Sequence, residues 1–248
     1  MKKKIVICIL LTLSFSIFGQ KKYPEWFLFP EKYPEIVTGF SYRGNSPLVD
    51  AVTMKCLYKQ CLVKGYLETL EKNNCKYLKN SEYYYIYPTD CIEKTKNNLY
   101  HVDGFCSNVI TEDLVSAYSI NSDYNNTFNN IDLLNIPVPN WKNKTTWIEN
   151  DYYYSVGMYT SKGNDNDAWK TSEERAIFNI ITFFTTKIFS ISRTVIINSK
   201  DYSTNYTRID VDFTLNNIEL LKRWPDEINN YFYTLVRIHK DDINSFVK

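Results

Sequence analysis

Tyr153–Phe184 reads YYSVGMYTSKGNDNDAWKTSEERAIFNIITFF, and its pattern sets the expected fold. Tyr154, Val156 and Met158 alternate along an apolar run around Gly157, which suits a β-strand. The polar turn Lys162–Asp167 offers side-chain oxygens to the unpaired N–H groups that open a helix. Glu173 and Glu174 fall early in that helix, where its dipole favours anions. Trp169, Ala176, Ile177, Ile180, Ile181, Phe184 and Ile188 then recur at three- and four-residue spacing, which makes one broad apolar stripe.

The same order occurs earlier. Glu35–Gly65 reads EIVTGFSYRGNSPLVDAVTMKCLYKQCLVKG. Gly39 aligns with Gly157, Gly44 with Gly163, Asp50 with Asp167 and Ala51 with Ala168. Ala51, Met54, Tyr58, Cys61, Leu62 and Gly65 form the matching stripe, so a helix is expected over 48–73. Strands are expected at Ser81–Pro88, Leu99–Phe105, Ser192–Asn198, Tyr206–Leu215 and Tyr231–His239. The polar stretch Asn121–Lys144, with Pro137 and Pro139, reads as a linker. The expected fold class is α+β, with two related units, each a long helix packed on an antiparallel sheet. The expected division is a signal peptide at 1–19, a first unit at 20–120, an Asn/Pro-rich linker at 121–150 and a second unit at 151–248.

Lys2, Lys3 and Lys4 precede the apolar run Ile5–Phe18, and Gly19 supplies a small residue for cleavage. This is the pattern of a Sec-type signal peptide, and the run is shorter than the roughly 20 residues of a spanning helix. The expectation is export to the periplasm or the outside of the cell, peripheral to a membrane at most. The net charge of +1 provides no basic field for nucleic acid.

Cys8 lies inside the apolar run, where a lipid-attachment cysteine would instead follow it. The remaining cysteines are Cys56, Cys61, Cys75, Cys91 and Cys106, an odd number that leaves at least one thiol unpaired within the chain. Cys56 and Cys61, five apart in the expected helix, point to different faces and do not pair there. One bridge among Cys75, Cys91 and Cys106 is expected. No C-x-x-C occurs and only His101 and His239 are present, so no metal or cofactor is assigned.

His101 with Asp103, and Asp210 with Asp212, are i, i+2 pairs that share a face in an extended strand. Acid–base chemistry would use such pairs, but exposed strand positions are the favoured account of both. No nucleophile elbow, phosphate loop or dinucleotide fingerprint is present, and no catalytic residue is assigned. Among the large aromatics Trp26, Trp141, Trp147 and Trp224, the last is the candidate binding residue, because Pro225 and Asp226 after it suggest a turn at the sheet rim.

Trp26, the Val37-Thr38-Gly39 run and an Ala-bearing helix resemble the LPP-twenty lipoprotein family of bacterial envelopes. The second copy is the better match, through Val156-Gly157, Asp167-Ala168-Trp169, Glu174-Arg175-Ala176, Arg223-Trp224-Pro225-Asp226 and Tyr233-Thr234-Leu235-Val236. FlgT-like proteins carry a similar small α+β unit. The resemblance implies fold and compartment and no reaction. The expected function is an exported, non-catalytic envelope scaffold or assembly module whose partners are other envelope proteins or cell-wall components. The alternatives are a secreted module binding glycan or peptide through surface aromatics and, third, a cryptic hydrolase.

Overall fold

The computed structural model describes residues 22–41, 44–72, 75–89, 91–106, 114–122, 128–188 and 204–245. The signal-peptide reading and the strand read at Ser192–Asn198 lie outside them.

Strand accounts for 48% of the structure and helix for 29%, with four sheets and one long helix. This corrects the expectation of two helix-on-sheet units. The elements are β1 (Lys22–Pro24), α1 (Glu25–Leu28), β2 (Ile36–Phe40), α2 (Pro47–Lys59), β3 (Gln60–Lys72), β4 (Cys75–Pro88), α3 (Ile92–Lys96), β5 (Tyr100–Cys106), β6 (Leu114–Ser119) and β7 (Asn130–Asp132), then β8 (Thr146–Glu149), β9 (Tyr152–Thr160), α4 (Asp165–Ile188), β10 (Thr204–Asn216), β11 (Glu219–Asp226), β12 (Tyr231–His239) and β13 (Ile243–Ser245). All strand pairs are antiparallel. The four sheets run β13-β10-β3-β4, β11-β12-β9-β8, β2-β6-β5 and β1-β7.

Two physical reasons explain the correction. First, the helix expected over 48–73 stops at Lys59, and Gln60–Lys72 continues as β3. Its residues satisfy a period of two, with Cys61 and Val63 buried and Lys64 exposed, and pairing with β10 along the whole strand fixes that period. Second, β3 and β4 from the first half share a sheet with β10 and β13 from the second, so the two halves are joined through a common sheet and are not separate units.

The long helix α4 lies between the two four-stranded sheets. Ala176, Ile177, Ile180 and Ile181 pack in one core with Val63, Val211, Phe213 and Leu215 of one sheet and Val236 and Ile238 of the other. Tyr84 stacks on Phe178. The helix is therefore buried on two sides, where its apolar stripe suggested one. Its opening is capped as the turn residues imply, with Asn164 Oδ1 accepting from the Asn166 and Asp167 N–H groups at 2.9 and 3.2 Å. A second core joins the chain's beginning to this helix. Trp26, Phe27 and Phe40 pack with Trp169 and Phe232, and Phe27 meets Trp169 edge-on at 5.1 Å.

The strand–turn–helix repeat recurs locally as β2–α2 and β9–α4. Gly44 and Gly163 both have positive φ, at +83° and +105°, where glycine carries no steric penalty. Gly39 and Gly157 both lie against helix backbone. The helical partners differ in register, being Pro47 and Ala51 in the first case and Ser172 and Ala176 in the second. Ala168 is therefore not the packing equivalent of Ala51.

Cys91 bonds to Cys56, 35 positions away, where a partner among Cys75 and Cys106 was expected. Those two lie in β4 and β5, with side chains outside the described ones. Cys56 sits on the opposite side of α2 from its solvent face, close to α3, which the helix-only reading of 48–73 did not bring near. Closing a loop of this length stabilises by about 2–4 kcal/mol in the chain-entropy model. Cys56→Ala/Cys91→Ala should lose that amount in urea unfolding, and an unchanged midpoint would refute the bridge. Cys61 is buried with its thiol pushed up to about 12 by desolvation, so it should stay unlabelled by thiol reagents until the chain unfolds.

Candidate functional site

The charged groups inside the molecule serve the fold. Lys170 Nζ lies 2.7 Å from Asp50 Oδ1, and Phe40 N–H donates to Asp50 Oδ2 at 3.0 Å. Desolvation by burial raises the Asp50 pKa, with the Lys170 ammonium opposing. Arg223 Nε and an Nη donate to Glu173 Oε1 at 2.8 and 2.6 Å, and its other Nη donates to the Phe27 carbonyl at 2.8 Å. Tyr58 donates its hydroxyl to Glu173 Oε2 at 2.6 Å. These bonds fasten α4 to α2, β11 and the segment after β1. Glu173, read from sequence as an anion near a helix start, is thus one half of a buried ion pair.

The residues weighed for acid–base work are engaged elsewhere. A bulge separates His101 from Asp103 in β5, so the parity that would place them on one face is broken. Asp103 Oδ2 accepts from Trp26 Nε1 at 2.7 Å. Asp210 pairs with Arg208 at 2.8 Å, and Asp212 lies 3.5 Å from Lys64, both on the solvent face of β10. Among the described residues no cluster of His, Cys, Asp and Glu is arranged to hold a metal ion, and no helix is long and apolar enough to cross a membrane.

The tryptophans are largely interior. Trp26 and Trp141 are buried. Trp147 stacks on Tyr154 at 5.2 Å with Lys144 Nζ 4.6 Å from its ring. Trp224, the candidate binding residue, is 9% exposed. It packs with Trp141, Tyr233 and Leu235, and Lys142 Nζ lies 4.6 Å from its ring centre. Lys142 also pairs with Asp226 at 2.5 Å, so this corner is a closed aromatic–cation cluster.

The exposed aromatics are tyrosines. Along β4 the inward residues Tyr84 and Ile86 pack on the main core, while Tyr83, Tyr85 and Tyr87 face solvent at 45, 46 and 46% exposure. Tyr66 of β3 stands opposite Tyr83. The rings pack against one another: Tyr83 meets Tyr85 edge-on at 4.7 Å, and Tyr85 stacks on Tyr87 at 5.8 Å. Arg208 lies 4.2 Å over Tyr66. All three rings of the row nonetheless remain nearly half exposed. Beside the row, β4 is an edge strand with no strand on its far side among the described residues. At 14 residues it is longer than the other edge strands, the next being β11 with eight. The sequence signal was the Tyr-x-Tyr-x-Tyr alternation, legible as a strand but silent on which face α4 would cover.

A concavity lies between α2, β2, the 30–34 turn and β11. It encloses about 440 Å³ and is lined by apolar and cationic side chains, among them Pro34, Val37, Leu220, Lys55 and Lys59. Burial, and then the neighbouring Lys59, lower the Lys55 pKa. Burial raises that of Glu31 on the same wall. No family model, no curated protein and no solved structure matches this chain.

Proposed function

We propose that this protein is an exported, non-catalytic assembly module of the cell envelope that docks an extended segment of another envelope protein along β4. The observation that carries the reading is the row Tyr83, Tyr85 and Tyr87 on a long strand that, among the described residues, is the edge of its sheet. An edge strand presents unpaired N–H and C=O groups that template a further strand, and β-strand addition is a common mode of peptide capture. Long edges are ordinarily blunted by charge or proline. β4 carries Lys76 and Lys79 towards its start and Pro88 at its end, so the stretch left without such features is 81–87, whose one charge, Glu82, is paired with Arg175 at 2.5 Å. Tyrosine is also enriched at the centres of protein contacts. The glycan-binding alternative draws less support, because a row along a strand edge adds backbone hydrogen-bonding groups that an extended peptide uses and a sugar platform does not require.

The test is site-specific photo-crosslinking in the native envelope, with a benzophenone side chain at Tyr85 and a control at Met158, exposed on the other large sheet. A discrete protein adduct at Tyr85 is expected, abolished when Tyr83→Lys and Tyr87→Lys are added. An adduct removed by glycosidase, or equal yields at both positions, would overturn the reading.

A further inference from the structure

We infer that the concavity between α2 and β11 is a binding site for an anionic amphiphile, with Lys55 and Lys59 receiving its carboxylate or phosphate head and the apolar wall receiving its tail. The argument starts from the charge count of the lining. Four cations reach the concavity: Lys55, Lys59, Arg223 and Arg237. Arg223 is taken up by Glu173 and Arg237 by Glu219, at 2.6 Å each. Glu31, the other lining acid, has Lys222 at 3.7 Å. Lys55 and Lys59 are left with no carboxylate partner among the described residues, so the site carries two uncompensated positive charges.

Their placement is unfavourable for the empty protein. They stand one turn apart on the same face of α2, where like charges repel. Lys55 is partly withdrawn from water, which depresses its pKa, and Lys59 adds to the effect. Lys59 is favoured by its place in the last helical turn, but that accounts for one lysine and not for the pair. Lys55 and Lys59 also line a smaller hollow of about 320 Å³ with Thr95 and Leu99, so the two residues stand between two concavities. Opposite them, Pro34, Val37, Leu220 and Leu221 form an apolar wall. Mostly apolar walls with a few convergent polar groups are what small-molecule sites present, and 440 Å³ falls inside their usual range.

The test uses the full chain and four ten-carbon probes in isothermal titration: decanoate, decyl phosphate, decanol and decyltrimethylammonium. One-to-one binding of decanoate or decyl phosphate is expected, with decanol at least about tenfold weaker for loss of the charge-assisted contacts. The relative affinity of the two anions identifies the head group. Lys55→Gln/Lys59→Gln should weaken the anion by a similar factor while the thermal midpoint holds. Lys55→Glu/Lys59→Glu should reverse the preference toward decyltrimethylammonium, a readout that misfolding would not produce. Equal binding of decanol and decanoate, an unchanged affinity in the double Gln variant, or failure of both anions to bind would overturn the inference.

Discussion

Arg223→Met should destabilise the protein by about 3–5 kcal/mol, the cost of leaving one member of a buried ion pair unpaired. Arg223 and Glu173 are each only 1% exposed, and the guanidinium makes three close hydrogen bonds, two to Glu173 and one to the Phe27 carbonyl. It also lies 4.5 Å over the Phe27 ring, so methionine replaces some of the packing and none of the charge. Urea unfolding measures the loss. Arg223→Met/Glu173→Leu should recover a large part of it, because the double change removes the stranded carboxylate along with its partner. A double variant as unstable as the single one would show that the Phe27 and Tyr58 bonds, not the ion pair, dominate.

Gly157→Val should cost more than about 4 kcal/mol, beyond the 1–3 kcal/mol of ordinary overpacking. A Cβ at this position would lie 1.8 Å from the Ser172 carbonyl oxygen and 2.5 Å from the Ala176 nitrogen. Those are backbone atoms in the middle of α4, so relief requires moving the helix away from β9. Gly163→Ala provides the contrast. Its Cβ would meet nothing within 4 Å, and its φ of +105° limits the penalty to backbone strain of about 1–2 kcal/mol. Thermal or urea midpoints of the two variants should separate clearly, and equal midpoints would mean that the close approach of helix and strand relaxes cheaply.

Local signals were legible where local physics decides the outcome. The alternation in Tyr206–Leu215 and Tyr231–His239 and the 3.6-residue period in α4 all match observed elements. The two loop glycines with positive φ follow from the strand–turn–helix repeat. The end of α2 was not legible, because Leu62, Tyr66 and Leu70 satisfy helical spacing as well as strand alternation. Pairing with β10 decides between them, and strand preference of this kind depends on the neighbouring chain more than on intrinsic propensity. Cys61 was placed correctly in the interior only because both conformations bury it. The same nonlocal step hid the candidate sites. The tyrosine row needs β3 beside it and α4 behind it, and the lysine pair needs β11 to supply the facing wall. The polar residues of α4 misled for a related reason: a helix covered on two sides buries Lys170 and Glu173, which a one-stripe reading leaves near solvent.

The pairing of β3 with β10 also orders events in time. Gln60 and Asn216, whose side chains touch at 2.7 Å, are 156 positions apart, and all 13 residues of each strand take part in the ladder. When β3 and β4 emerge after the proposed export, the strand that completes their sheet has not yet followed. Their hairpin waits with both long edges open, one of them the tyrosine-bearing edge, and a chain with such distant contacts folds slowly. Open edges on a waiting intermediate are where chains stick to each other. A chain truncated before residue 204 should therefore need a holding chaperone to stay soluble, and folding should finish only once β10 is present.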